Sequence, residues 1–229
     1  MASQRPHHEG MIEMQNRSKT IFSLLTGSLA VLMVFAAVAT AATINDDDIG
    51  HVLKGTNSVD MINGNGGDDT INAKNKADVV DAGSGNDTVN AGAGNDTVQG
   101  GDGDDVLRGG LGGDKQYGGA GNDTIFANKG RDESWGGAGN DTLWALARSD
   151  VNSRKDFNGD VLHGEDGDDT FRTRDGEGDT IDCGAGTDTA ILDFKDKILD
   201  ATTESPNGSC ENVTRKSRNA SDSKEPGAA

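Results

Sequence analysis

The sequence predicts an all-β solenoid of stacked short strands, and two observations predict it. From Gly55 to Trp144 the chain runs as ten consecutive nine-residue units without insertion or deletion. Self-similarity at a fixed short period marks a repeat architecture. Within each unit the first six positions hold mostly Gly, Asn, Asp and small residues, and the last three hold one aliphatic residue between two others. The first part is turn chemistry, because glycine reaches positive φ freely and Asn and Asp tolerate it. The second part is a very short strand with one side chain on one face. A strand of this length is stable only when copies stack and bury their aliphatic residues together.

The units differ by position in an orderly way. Position six is Asp in all ten: Asp60, Asp69, Asp78, Asp87, Asp96, Asp105, Asp114, Asp123, Asp132 and Asp141. Position four is Gly except at Ser58 and Lys76, and position eight is aliphatic except at Gln116 and Ser134. The predicted inward column is therefore Ile62, Ile71, Val80, Val89, Val98, Leu107, Ile125 and Leu143.

Stacking the units also stacks their turns, and a ladder of carboxylates repels itself. Calcium relieves that repulsion, because it accepts about six to eight hard oxygen ligands in flexible geometry, whereas magnesium keeps its water and demands an octahedron. There is no Cys/His cluster of the kind zinc requires. The expected cofactor is several Ca²⁺ ions, with folding coupled to binding.

Units such as AGAGNDTVQ (91–99), GGAGNDTIF (118–126) and GGAGNDTLW (136–144) follow the pattern G-G-x-G-x-D-x-U-x. The chain thus resembles the RTX, or haemolysin-type, calcium-binding repeat family over roughly Gly55 to Ile191. The resemblance implies a right-handed parallel β-roll in which two nonapeptides make one coil and turns n and n+2 share an ion. One side of such a roll carries the loops ending at Asp69, Asp87, Asp105, Asp123 and Asp141, all close to consensus. The other carries those ending at Asp60, Asp78, Asp96, Asp114 and Asp132, into which Lys74, Lys76, Lys129 and Arg131 intrude. The expectation is calcium on the first side, plus one sound site between the Asp96 and Asp114 loops. On the poorer side the cationic side chains are expected to replace missing ions in part.

The segments outside the array have their own chemistry. A basic flank, an apolar run from Thr20 to Ala42 and an Ala-x-Ala exit describe a secretory signal peptide over residues 1–41. The competing reading is a membrane anchor over residues 20–42, since about 20 apolar residues span a bilayer. Residues 42–54 form an entry segment, in which His51 and Leu53 fall at positions six and eight of a degenerate unit. Residues 145–154, ALARSDVNSR, interrupt the phase as an insertion read as a loop or short helix, and degenerate units resume over 155–191. Among these, the loops ending at Asp169 and Asp188 are close to consensus, and Asp169 joins the candidate ligands. The two cysteines, Cys183 and Cys210, form one disulfide in a secreted chain. That bond ties residues 192–213 back as a C-terminal cap. The arrangement Cys183-Gly184 with Cys210-Glu211-Asn212-Val213 resembles the ending of many secreted bacterial proteins of this family. Residues 214–229 are a polar, disordered tail.

Composition narrows the function. The net charge is −18, with 32% apolar and 4% aromatic residues, which predicts a metal-free chain without a stable core. Nucleic acid is excluded as a partner, because phosphate binding needs basic patches. No nucleophile and base, HExxH or phosphate loop is present, so no enzyme is expected. Removal of the signal leaves no membrane segment. Position nine turns aromatic late in the array, at Tyr117, Phe126, Trp135 and Trp144. By the two-per-coil rule Tyr117 and Trp135 share one face, and Phe126 and Trp144 the other. Either these pairs form a polysaccharide-binding patch, or Ala145 to Asn158 folds back over one of them. The expected function is a secreted, stand-alone calcium-binding surface, matrix or adhesion module. The alternative is a carbohydrate-binding module or helper of a polysaccharide-acting enzyme.

Overall fold

The computed structural model describes residues 41–145, 159–202, 205 and 208–216. Eighteen strands and no helix are found among them. They divide into two nine-stranded sheets, the odd-numbered strands in one and the even-numbered in the other. The first sheet begins with β1 (Thr43–Asn45), β3 (Met61–Asn63) and β5 (Val79–Ser84), and the second with β2 (Val52–Lys54), β4 (Thr70–Asn72) and β6 (Thr88–Ala93). Every pairing is parallel and joins a strand to the one two further along the chain, with Ile62 opposite Val80 and Ile71 opposite Val89. Two nonapeptides therefore make one coil, and the architecture is a parallel β-roll.

The core lies between the two sheets. Ile62, Ile71, Val80, Val89, Val98, Leu107, Ile125 and Leu143 are all at most 1% exposed. Ile44, Leu53, Leu162, Phe171, Ile181, Ala190 and Ile198 extend the column at both ends. The two exceptions at position eight also point inward. Gln116 and Ser134 are fully buried, Ser134 Oγ donates to Gln116 Oε1 at 3.2 Å, and Gln116 Nε2 donates to the Phe126 carbonyl at 3.1 Å. The polar pair thus meets its hydrogen-bonding needs inside the core.

The strands run further than three residues. From β5 to β11 (Glu133–Ala138) each has six residues, because pairing continues through positions one to three of the next unit. Gly83 pairs with Gly101 at φ of +107° and +115°, so the chain turns the corner without leaving the ladder. Position one consequently faces inward, and Ala73, Ala82, Ala91 and Ala127 are fully buried.

The C-terminal end is closed covalently. Cys183 and Cys210 are bonded, with Cα atoms 5.3 Å apart, and both are buried among the core residues. The bond holds β18 (Asn212–Arg215) against β16 (Thr189–Leu192). Solenoid stability is nearest-neighbour in character. Replacing both cysteines with serine should therefore weaken this end by about 3 kcal/mol and leave the distant coils unchanged. Hydrogen exchange in calcium should show protection lost in β16 and β18 but kept around Val98 and Leu107.

Candidate metal centre

The loops entering the second sheet lie along one side of the roll, and those entering the first sheet lie along the other. On each side the position-six aspartates stack into a column linked by backbone. The Asp69 N–H donates to Asp87 Oδ1 at 2.7 Å, Asp87 to Asp105, Asp105 to Asp123, and Asp123 to Asp141. The chain of bonds steps across the insertion to Asp169, then to Asp188 and Glu211. The second column runs from Asp60 through Asp78, Asp96, Asp114, Asp132, Asp160 and Asp179 to Asp196.

One oxygen of each carboxylate thereby accepts from the backbone. Oδ2 of Asp69, Asp78, Asp87, Asp96, Asp105, Asp114, Asp123, Asp141, Asp169, Asp179 and Asp188 is buried without a hydrogen-bond partner. In the loops of Asp69, Asp105, Asp114, Asp123, Asp141 and Asp169 a glycine at position one keeps the space beside that oxygen. A Cβ there would stand only 2.3–2.6 Å from it. At the two ends of the second column that oxygen is satisfied, since the Thr56 N–H and hydroxyl donate to Asp60 Oδ2 and the Thr173 hydroxyl and Asp193 N–H donate to Asp196 Oδ2.

These carboxylates cannot all stay ionised on their own. Strands stack about 4.8 Å apart, so two neighbouring ionised groups repel by about 3 kcal/mol at an effective dielectric constant of about 20. Burial first, and like-charged neighbours after it, push Asp105, Asp114 and Asp169 up to about 7. Asp69, Asp78, Asp123 and Asp141 rise to about 6 for the same leading reason. Asp87 and Asp96 rise through burial as well. Orphaned, buried, hard oxygen donors in a regular column fit a calcium ion, which would neutralise the column and supply no redox or acid chemistry of its own. The loop aspartates would hold it.

A second ladder distinguishes the two sides. At position five the Asn86 N–H donates to Asp68 Oδ1, Asp104 to Asn86, Asn122 to Asp104, Asn140 to Asn122, Asp168 to Asn140 and Thr187 to Asp168. On the other side one such bond is found among the described residues, from the Gly113 N–H to Asn95 Oδ1. This ladder and the inward role of position one escaped the sequence reading. Asn or Asp recurring at position five, and only Gly or Ala at position one, are the signals that reveal them.

Lys74 and Lys76 occupy left-handed backbone, at φ of 84° and 82°, which costs a side-chain-bearing residue about 1–2 kcal/mol. Both are exposed, and Asp78 Oδ2 has no hydrogen-bond partner. The Lys74→Gly/Lys76→Gly variant should therefore order at a lower calcium concentration than the parent in a circular dichroism titration. A higher midpoint would mean that the lysines act as stand-in cations.

The aromatic residues stack across neighbouring strands. Tyr117 lies on Trp135 at 4.5 Å and 8°, and Trp135 lies on His163 at 5.4 Å and 10°. On the other sheet Phe126 stacks on Trp144 at 5.8 Å. Guanidinium groups close that stack at both ends, Arg108 over Phe126 at 5.0 Å and Arg172 over Trp144 at 4.9 Å. The fold-back expected of Ala145 to Asn158 lies outside the described residues, apart from Ala145.

A parallel roll whose turns carry two columns of buried, hydrogen-bonded carboxylates, most with one oxygen left over, is built as a calcium-binding β-roll is. A family model for the RTX calcium-binding nonapeptide repeat matches the chain in four copies, over residues 52–80, 81–115, 117–144 and 158–190, together more than half of its length, and the chain belongs to that family. No curated protein and no solved structure matches it. Its repeats bind calcium.

Proposed function

We propose that this chain is an extracellular module that calcium folds and that works as a surface, matrix or adhesion element rather than as an enzyme. The supporting observation is the carboxylate column of Asp69, Asp87, Asp105, Asp123, Asp141, Asp169 and Asp188, whose buried Oδ2 atoms have no hydrogen-bond partner and fit cations. The two described histidines are engaged: His51 pairs with Asp46 at 2.9 Å, and His163 lies between Trp135 and Asp182. An amino-terminal signal peptide would deliver the chain to an environment of millimolar calcium, where extracellular calcium modules typically work. The apolar run lies outside the described residues except for Ala41 and Ala42, and no helix among the described residues is long and apolar enough to cross a membrane. Calcium would load chiefly beside Asp69, Asp87, Asp105, Asp123 and Asp141, with a further site between Asp96 and Asp114. The continuous position-five ladder favours that side, and anomalous scattering of equal strength on both sides would overturn the assignment. For the function itself, the tagged chain is followed between cell surface and medium. Attachment in millimolar calcium and release by a chelator is the expected result. Retention inside the cell, or attachment indifferent to calcium, would refute it.

The carbohydrate reading rests on the aromatic stacks. Sugar rings dock on the faces of aromatic rings, and here the faces are turned on one another and on Arg108 and Arg172. Mainly edges are left to present, so this reading ranks second. Glycan binding lost in a Trp135→Ala or Trp144→Ala variant would reverse the order.

A further inference from the structure

The first turn of the roll departs from the others on its side. Those loops end in Asp69, Asp87, Asp105, Asp123, Asp141, Asp169 and Asp188, and this one ends in His51. Asp46 stands at the first position of the same loop, and Asp69 lies one coil further on. One ligand atom from each of the three residues lies within 4.8 Å of the other two. His51 Nδ1 is 2.9 Å from Asp46 Oδ2, and the Asp46 side chain is only 2% exposed. Asp69 is also 2% exposed, and its Oδ2 has no hydrogen-bond partner.

The three groups are held before any ion arrives. The Asp46 N–H donates to the Asn63 carbonyl at 2.9 Å, and Asn65 Nδ2 donates to the Asp46 carbonyl at 2.6 Å. The His51 N–H donates to Asp69 Oδ1 at 2.7 Å, which fixes the imidazole beside that carboxylate. A hydrogen bond between His51 and Asp46 accounts for those two side chains alone and leaves the buried Asp69 oxygen unpaired. A cation accounts for all three. The ring nitrogen decides which cation. Calcium takes hard oxygen ligands, whereas imidazole is a ligand for zinc and its neighbours in the first transition row. Two ligands about 2.0–2.2 Å from a tetrahedral ion sit about 3.4 Å apart, so entry of the ion would replace the hydrogen bond and part Nδ1 from Oδ2 by about 0.5 Å.

We propose that Asp46, His51 and Asp69 form a binding site for a divalent transition cation of the zinc class, which shares Asp69 with the calcium column and differs from it in using His51 and Asp46. The ion would clamp the amino-terminal coil, where β1 and β2 are the outermost strands of the two sheets. The proposal goes beyond the calcium reading and requires only that the first coil be ordered.

The test uses the full chain in saturating calcium, titrated with Co²⁺ as a coloured stand-in for zinc and then back-titrated with Zn²⁺. Visible absorption reports nitrogen and oxygen ligation of cobalt. The expected result is one equivalent more in the parent than in His51→Asn or Asp46→Asn, displaced by zinc. Affinity at this site should fall in the variants by on the order of 100-fold, since even outer partners of a metal site are worth 10–100-fold. His51→Asp, which restores the residue type of the other loops, should lose cobalt in the same way. Equal cobalt uptake by the parent and His51→Asn would overturn the proposal, as would complete displacement of cobalt by calcium alone. Circular dichroism on the same samples reads calcium-driven folding separately, so failure of the calcium reading and failure of this site are distinguishable.

Discussion

Stripped of calcium at neutral pH, the chain should lose most of its β signal in far-UV circular dichroism, and calcium should restore it while magnesium does not. The reason lies in how little each unit buries. Of nine residues, position eight contributes one aliphatic side chain and position one contributes only Gly or Ala. Burying a Val or Leu side chain stabilises by about 1.5–3 kcal/mol, whereas ordering nine backbone residues opposes folding several times more strongly. Ladder hydrogen bonds narrow that gap, and the columns of like-charged carboxylates widen it again. An ion that binds only the ordered turns contributes about 1.4 kcal/mol per site at ten times its dissociation constant. Successive turns share the same backbone ladder, so several sites fill together and the transition should be steep. Equal β signal with and without chelator would mean that the apolar column and the Cys183–Cys210 bond hold the roll unaided.

Much of this fold was legible because it is periodic. The aspartate at position six and the aliphatic residue at position eight repeat in phase, and two units per coil placed Tyr117 on Trp135 and Phe126 on Trp144. Contacts that the period does not carry were not legible. Position one looks like turn, because Gly and Ala suit turns, although here they sit where the two sheets crowd together. The guanidinium groups over Phe126 and Trp144 come from Arg108 and Arg172, which pair with those rings one coil before and one coil after; Arg108 shares their position in the array, but the insertion takes Arg172 out of its phase. Asp160, Asp179, Asp196 and Glu211 join the columns across separations of 28, 19, 17 and 23 residues. What survives there is the local spacing alone, Asp196-Lys197-Ile198 and Glu211-Asn212-Val213, an acid two residues before an inward aliphatic. The role of each carboxylate as a backbone acceptor one coil back was hidden for a related reason. It joins residues 18 apart through the pitch of the roll, not through any local motif.

Acid should replace calcium in part, and the dependence on pH should change sign when the ion is present. In the metal-free roll burial raises Asp105, Asp114 and Asp169 to about 7, and Asp69, Asp78, Asp123 and Asp141 to about 6, against 3.8 in an unstructured chain. Asp160 is also raised well above 3.8, by burial and then by Asp179, and Asp179 by burial and then by Asp175. A folded state that holds protons more tightly than the unfolded one is favoured below the unfolded value and loses that advantage as pH rises through the folded values. The metal-free chain should therefore show its greatest order near or below about pH 4 and lose it progressively up to about pH 7. With calcium bound, the same carboxylates are held ionised, so they bind fewer protons than in the unfolded chain and stability rises with pH instead. Proton and ion compete for one set of oxygens. Calcium binding to the ordered, protonated roll at about pH 6 should accordingly release protons into a weakly buffered solution, whereas unfolded chains, already ionised there, have none to release, and the calcium midpoint of the ordered roll should fall as pH rises towards about 7.5 and then level off. Paired titrations followed by circular dichroism and by a pH indicator measure both effects. A midpoint unchanged across that range, with no proton release, would show that the aspartates are already ionised in the metal-free chain and would overturn the competition between proton and ion.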